Sequence, residues 1–317
     1  MRIFLIGGAG YIGSHVLKAL NVLGHDLITI DNLSTGHRDA VLFGKFELCD
    51  LMDEEALIKL FKKYKPEIVM HFGALSVVSD SVKDPDLYYR NNVIGTINLL
   101  HAMINNNCKK IIFSSTASIY GIPKYLPIDE EHDTDPINPY GRSKLMIEQM
   151  MEDYSKAYGL NYVSFRYFNA AGHDPEGELR ERHNPETHLI PLIMKAANKE
   201  IKFIKIYGTD YPTKDGTCIR DFIHVCDLAT AHIAAIDYLD MYKKNNIFNL
   251  GNEIGFTVKE VIDVAKRITG KEIPTINSER REGDPSVLVA SSKKAITELG
   301  LIIKFSKIDD IIRTIKD

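Results

Sequence analysis

The stretch Arg2-Ile-Phe-Leu-Ile-Gly-Gly-Ala-Gly-Tyr-Ile-Gly-Ser-His15 decides the fold. An apolar run, Ile3–Ile6, passes at once into glycines at 7, 10 and 13, and a helical pattern follows over Ile12–Leu23. Glycine permits a tight turn and lets the backbone approach a diphosphate. The free N–H groups and the positive dipole end of a helix start then favour an anion. A glycine spacing alone is a weak signal. Placed between strand and helix, Gly7, Gly10 and Gly13 read as a dinucleotide-binding turn.

Working outward, further apolar runs stand at Leu27–Ile30, Ile68–Phe72, Lys110–Ser114 and Tyr162–Tyr167. Helical patterns alternate with them at Asp53–Tyr64, Asp86–Asn105 and Pro139–Tyr158. Strands that are apolar throughout belong in a parallel sheet covered on both faces, so the alternation predicts a doubly wound, Rossmann-type α/β fold. The pattern changes after Asn169. Gly172–Thr187 reads as loop, Leu189–Asn198 as helix, Ile223–Leu239 as a helical segment returning to the sheet, and the tail from Thr257 as two short helices. The expected division is a nucleotide-binding domain over 1–168 with a return segment over roughly 221–250, and a smaller interleaved α/β lobe over 169–220 and 251–317.

Composition narrows the function. The 317 residues carry a formal net charge of -4, which argues against a nucleic-acid surface as the main business of the chain. No stretch approaches the length of a membrane span, and no charged leader with an apolar run precedes the first strand. Cys49, Cys108, Cys218 and Cys226 form no CxxC pair and read as free thiols, so a reducing, cytoplasmic location is expected. The eleven histidines show no metal spacing, so no metal is expected, and His224 and His232 read as structural.

Five further positions carry chemistry. Asp31 ends the second strand, where an acid can accept both ribose hydroxyls of adenosine and would repel a 2′-phosphate, so the cofactor is NAD. Asp50 closes the next strand and can reach the adenine amine or cap a helix. Tyr140-Gly-Arg-Ser-Lys144 follows the helix start Asn138-Pro139, which sets Tyr140 and Lys144 one turn apart on one face. Tyrosine titrates at about 10, so appreciable phenolate at neutral pH needs a shift of about 2–3 units. A neighbouring ammonium and a positive nicotinamide ring both favour that phenolate. Thr116, at the end of the strand before it, can hydrogen-bond the reacting oxygen.

Taken together, GGAGYIGSH (7–15), DNLSTG (31–36), HFGA (71–74), NNVIGT (91–96), SSTASIYG (114–121), NPYGRSK (138–144), RYFNAAG (166–172), HLIP (188–191), GTCIRDFIHV (216–225) and RREGDP (280–285) resemble the extended short-chain dehydrogenase/reductases, and within them the UDP-glucose 4-epimerase family. The resemblance runs nearly end to end. It implies Tyr140 as base, Lys144 as its partner and Thr116 as hydroxyl helper. It places NAD against Gly7, Gly10, Tyr11, Ile12, Asp31, Asn32, Asp50, Leu51, Phe72, Gly73, Ala74, Ser76, Asn91 and Phe168. It places a UDP-sugar against Asn169, His188, Leu189, Tyr207, Arg220, Arg281 and Asp284, with the two arginines suited to a diphosphate. The implied reaction inverts C4 of a UDP-hexose, most simply UDP-glucose and UDP-galactose, in a homodimer.

The departures are specific. Ser76 stands where the family often has Lys, and His188 where many members have Asn. Leu288, between the large and small residues found at the family's gate for the sugar's 2-substituent, leaves a 4-epimerase for UDP-N-acetylhexosamine or UDP-pentose open. A catalytically quiet NAD-binding regulator on the same fold is the other alternative. Related dehydratases and decarboxylases place acids after the Thr, whereas this chain has Ala117 and Ser118, which suits epimerisation through one proton-handling tyrosine.

Overall fold

The opening apolar run forms β1 (Arg2–Ile6), and its glycine turn leads into α1 (Tyr11–Val22). The computed structural model describes residues 1–281 and 284–315. There follow β2 (Asp26–Asp31), β3 (Lys45–Leu48), α2 (Glu54–Tyr64), β4 (Ile68–His71), α3 (Val78–Lys83), α4 (Pro85–Tyr88), a π-helical turn at Tyr89–Ile94, α5 (Gly95–Asn105), β5 (Lys110–Thr116), α6 (Pro139–Tyr158) and β6 (Asn161–Tyr167). The second half adds β7 (Asn169–Ala171), α7 (Leu189–Ala197), β8 (Ile204–Tyr207), β9 (Ile219–His224), α8 (Val225–Tyr242), β10 (Asn246–Leu250), β11 (Gly255–Thr257), α9 (Val258–Thr269), β12 (Thr275–Ser278), β13 (Val287–Leu288), α10 (Lys293–Leu299) and α11 (Ile308–Ile315).

Seven strands pair in the order β10-β6-β5-β4-β1-β2-β3, all parallel. This is the doubly wound sheet, and its order reverses between β1 and β4, where a crevice opens at the carboxyl ends of the strands. Val16, Leu17 and Leu20 of α1 pack with Leu228, Ala235 and Leu239 of α8 in a core on one face. Phe61 of α2, Leu99 and Met103 of α5, and Ile147 and Met151 of α6 fill the core on the other. A third core joins α7, α9 and α11 beside the short sheets β7/β9/β11/β13 and β8/β12.

Local chemistry sets several boundaries. Asn138 caps α6 by accepting the Gly141 amide at 2.8 Å, and Gly159 closes it in the left-handed conformation, φ +70°. Thr257 and Glu260 form a reciprocal capping box on α9. Three expectations need correction. The helix expected over 86–105 is broken by the π turn, which sets Asn91 in the cleft wall while buried Asn92 bonds Leu75 and Ser143. The apolar run at 223–239 hides a strand end: β9 stops at His224, whose Nδ1 accepts the Cys226 amide at 3.1 Å and caps α8. The tail carries three helices among the described residues, because the short α10 shows little periodicity.

Candidate active site and cofactor cleft

At the nucleotide end, backbone meets backbone. Gly7 has φ +74°, and a Cβ there would lie 2.4 Å from the Gly73 nitrogen; one on Gly13 would lie 2.6 Å from the Gly7 oxygen. Only glycine fits this close approach. Gly10 caps α1 without a side-chain bond, so the first-turn amides are left for a ligand. Asp31 is fixed beside this turn: its Oδ2 accepts the Ala9 amide at 3.0 Å and its Oδ1 the Leu33 amide at 2.8 Å. Burial raises its pKa and the two amides pull it down. Asp50 accepts from Asn32 Nδ2 at 2.7 Å and the Met52 amide at 2.8 Å. The cap of α2 is Asp53, through the Ala56 amide at 2.9 Å, so Asp50 keeps its place in the cleft wall. A glycine cradle, free helix amides and an oriented acid fit the adenosine diphosphate half of NAD.

The chemical centre lies where β5 ends and α6 begins. The Thr116 hydroxyl accepts the Ser118 amide at 3.1 Å, so its own proton is directed elsewhere. Thr116 lies beside the Tyr140 phenol and lowers its pKa, against the larger effect of burial. Lys144 Nζ donates to the Ser114 carbonyl at 2.8 Å and lies 4.8 Å from the centre of the Phe113 ring. Burial raises the Tyr140 phenol, and burial pushes Lys144 down to about 7, with Glu148 acting against that. A charged Lys144 would hold the phenol low. Burial opposes both charged forms, so a cation arriving in the cleft has to supply much of that tuning. Ser76, where the family often has Lys, is exposed in the same wall.

At the other end, Asn169 donates to the Asp221 carbonyl at 2.8 Å. Arg220 pairs with Asp284, so the expected diphosphate clamp and the expected ribose acceptor face each other. The Arg281 guanidinium stacks 4.0 Å above the Tyr207 ring. His188 precedes α7, with its Nδ1 between Glu181 and Glu186, and Leu189 starts the helix. Leu288 on β13 lies in register with Arg220 and packs beside the core of Ala117, Ile119 and Phe168. Glu282 and Gly283 of the RREGDP motif lie outside the described residues.

All the candidate site residues, from Gly7 to Leu288, line one continuous cleft of ≈ 2280 Å³. That exceeds the ~1,000 Å³ upper range of single-ligand pockets and leaves room for two ligands side by side. Several supports escaped the sequence reading. Asn92 accepts the Leu75 amide at 2.9 Å and donates to Ser143 Oγ at 3.1 Å, tying the loop after β4 to α6. Ser114 Oγ, Tyr167 OH and His232 Nε2 form a buried chain with steps of 2.8 and 2.7 Å. It ends where His232 Nδ1 meets the Leu228 carbonyl at 2.8 Å. Buried Arg166 and Glu148 pair at 2.7 Å behind Lys144. None has a local motif; only a Tyr or His in a strand or helix face would have hinted at them.

A doubly wound sheet with this tyrosine and lysine at its carboxyl edge defines an NAD-dependent enzyme acting at a hydroxyl-bearing carbon. The profile of the NAD dependent epimerase/dehydratase family matches residues 3–251, and the chain belongs to that family. It is 48% identical over 315 residues to the UDP-glucose 4-epimerase of Lacticaseibacillus casei, covering 99% of this chain and 95% of that protein. Among solved structures, the UDP-glucose 4-epimerase of Brucella ovis in complex with NAD is 47% identical with a TM-score of 0.96, covering 99% of this chain and 96% of that one. The enzyme of Bifidobacterium longum in complex with NAD⁺ and UDP is 38% identical with a TM-score of 0.94, covering 99% and 96%.

Proposed function

We propose that this chain inverts C4 of a UDP-hexose, interconverting UDP-glucose and UDP-galactose through a 4-keto sugar. The observation that carries the reading is that Ala117 and Ser118, neither of them an acid or a base, follow Thr116, and that the Ser118 amide is held by Thr116. Epimerisation needs one proton removed and returned, whereas dehydration needs a second acid–base pair. Gly7, Gly10, Tyr11, Asp31 and Asp50 hold the cofactor's adenosine side, and Phe72, Ala74, Asn91 and Phe168 its other half.

When bound, NAD⁺ would supply an acceptor for the hydride leaving the sugar's C4 and, once reduced, the donor that returns it, and its positive ring would favour the Tyr140 phenolate. Tyr140 removes the 4-hydroxyl proton and later restores it. Thr116 donates a hydrogen bond to the reacting oxygen. Asn169, His188, Leu189, Tyr207, Arg220, Arg281 and Asp284 hold the UDP end, which contributes the same binding whichever sugar face is presented. Opening of the Arg220–Asp284 pair lets the guanidinium meet a phosphate oxygen and the carboxylate a ribose hydroxyl. The division into a nucleotide domain over 1–168 with its return segment and a UDP-sugar lobe belongs to this reading, supported by the separate cores.

A homodimer through the helices at 85–105 and 139–158 is supported by exposed Leu87, Ile94 and Met146. A cytoplasmic location is supported by four free thiols. Among the described residues no helix is long and apolar enough to cross a membrane. Leu288, intermediate in size, leaves a second activity on UDP-N-acetylhexosamines open. The test is proton NMR of UDP-galactose and, separately, UDP-N-acetylgalactosamine with the purified protein, without and then with added NAD. Formation of UDP-glucose supports the proposal; inertness of both sugars even with NAD refutes it.

A further inference from the structure

The segment between β7 and α7 brings together four side chains that the sequence reading left apart. His188 Nδ1 lies 2.9 Å from both Glu181 Oε1 and Glu186 Oε1, and His183 Nδ1 lies 3.0 Å from Glu181 Oε1. One donor atom from each residue lies within 4.8 Å of all the others. A separate observation points to a missing partner. The Glu181 side chain is 1% exposed, yet its Oε2 has no hydrogen-bond partner. A buried carboxylate oxygen left without a donor is costly and calls for an explanation.

We propose that Glu181, His183, Glu186 and His188 bind one divalent transition cation of the zinc class. Two imidazoles with two carboxylates form a borderline N/O donor set suited to such an ion, and two carboxylate charges cancel its charge. Ligand bonds of ~2.0–2.2 Å in a tetrahedron set donors about 3.3–3.5 Å apart. The three His–Glu contacts of 2.9–3.0 Å, whose Nδ1 protons the cation displaces, open by a few tenths of an ångström, and the remaining donor pairs, all within 4.8 Å, adjust to the same spacing. A cation bound at Glu181 also places positive charge beside the unpartnered Oε2. Glu186 is already oriented, its Oε1 accepting the Thr187 and His188 amides at 2.7 and 2.8 Å.

The neighbouring residues anchor the loop that carries this set. Arg182 pairs with both Asp39 oxygens at 2.8 and 2.7 Å, and its carbonyl meets His37 Nε2 at 2.9 Å. The cation therefore cross-braces the wall of the cleft that faces Tyr11, whose ring centre lies 6.2 Å from that of His183. The nearby group Asp174, Glu176 and Glu178 is different: Lys18 Nζ already sits among its carboxylates at 2.7, 2.5 and 2.6 Å.

The test is metal titration of the full-length protein after chelator dialysis. Cobalt(II) is followed by its visible ligand-field absorption, and zinc by displacement of cobalt and by elemental analysis. One cobalt per chain, displaced by one zinc, is expected. Glu181→Gln and His183→Gln should each weaken zinc binding by more than the ~10–100-fold that loss of an outer-shell partner costs. Glu176→Gln, at the lysine-filled cluster, should bind as the parent does. Far-UV circular dichroism checks each fold, and half-exposed His183 supplies the variant if Glu181→Gln does not fold. Absence of stoichiometric metal in the parent, or parent-like affinity in the folded variants, overturns the proposal.

Discussion

Lys144 Nζ donates to the Ser114 carbonyl at 2.8 Å from a site closed to solvent, with the Phe113 ring centre 4.8 Å away. Burial there lowers its pKa from 10.5 to about 7. The sign of the linkage follows. Between pH 7 and 10.5 the unfolded chain holds the lysine proton and the folded chain does not, so this group makes stability rise with pH across that window. Below the lower value both states hold the proton and the burial penalty is constant. Urea unfolding of the parent and Lys144→Met at several pH values should show the parent gaining on the variant from pH 7 upward. A difference independent of pH would mean that Lys144 titrates normally in the fold.

The Thr116–Ser118 bond makes a distinct kinetic prediction. Thr116→Val removes the donor that faces Tyr140 and the reacting oxygen, so kcat should fall by ~10²–10³-fold with little change in KM. Thr116→Ser keeps the hydroxyl and should retain most activity. Tyr140→Phe removes the base itself and should cost at least the ~10²–10⁴-fold typical of general acid–base catalysis while NAD is retained. Steady-state assays with UDP-galactose and the protein's NAD absorbance decide both. Parent-like turnover of Tyr140→Phe would remove Tyr140 from the chemistry.

Why some of this is legible in sequence and some is not comes down to range. The glycines at 7, 10 and 13, the Asn138-Pro139 cap and the Tyr140/Lys144 spacing work within one turn or one helix, so adjacent residues record them. Asp221 is the opposite case. It stands on β9, buried, and accepts the amides of Asn252, Glu253 and Ala290 at 2.6, 3.1 and 3.0 Å. Those partners come from two distant loops, and nothing beside Asp221 foretells them. Glu181, His183, Glu186 and His188 converge for the same reason, because loop geometry rather than helical spacing brings His183 and His188 together.

Arg166 and Glu148 are buried behind Lys144, with Ser164 Oγ donating to the same carboxylate at 2.9 Å. Glu148→Gln leaves the guanidinium charge without its counter-ion and should destabilise the fold by about 3–5 kcal/mol in urea unfolding. Pairing it with Arg166→Met removes the orphan charge and should recover much of that loss. Glu148 also opposes the burial effect on Lys144, so the single variant should titrate Lys144 still lower. A loss under 1 kcal/mol would show that water reaches this pair.

Leu288 offers the sharpest test of substrate choice. It is half-buried on β13, one wall of the cleft, with Ala117, Phe168 and Ala290 in the core behind it. A side chain backed in this way has little room to move aside, so its size sets the room in front of it. An N-acetyl group is larger than a hydroxyl by several heavy atoms. Leu288→Ala should therefore raise kcat/KM for UDP-N-acetylgalactosamine relative to UDP-galactose by ~10-fold or more, the effect of a methylene or two in a fitted pocket. Leu288→Tyr should lower the same ratio, since the ring projects further into the cleft. The ratio is the measurement, because a general disturbance of the site moves both substrates together. Equal changes for the two sugars in both variants would place the 2-substituent away from Leu288, and opposite shifts would make this one side chain the gate.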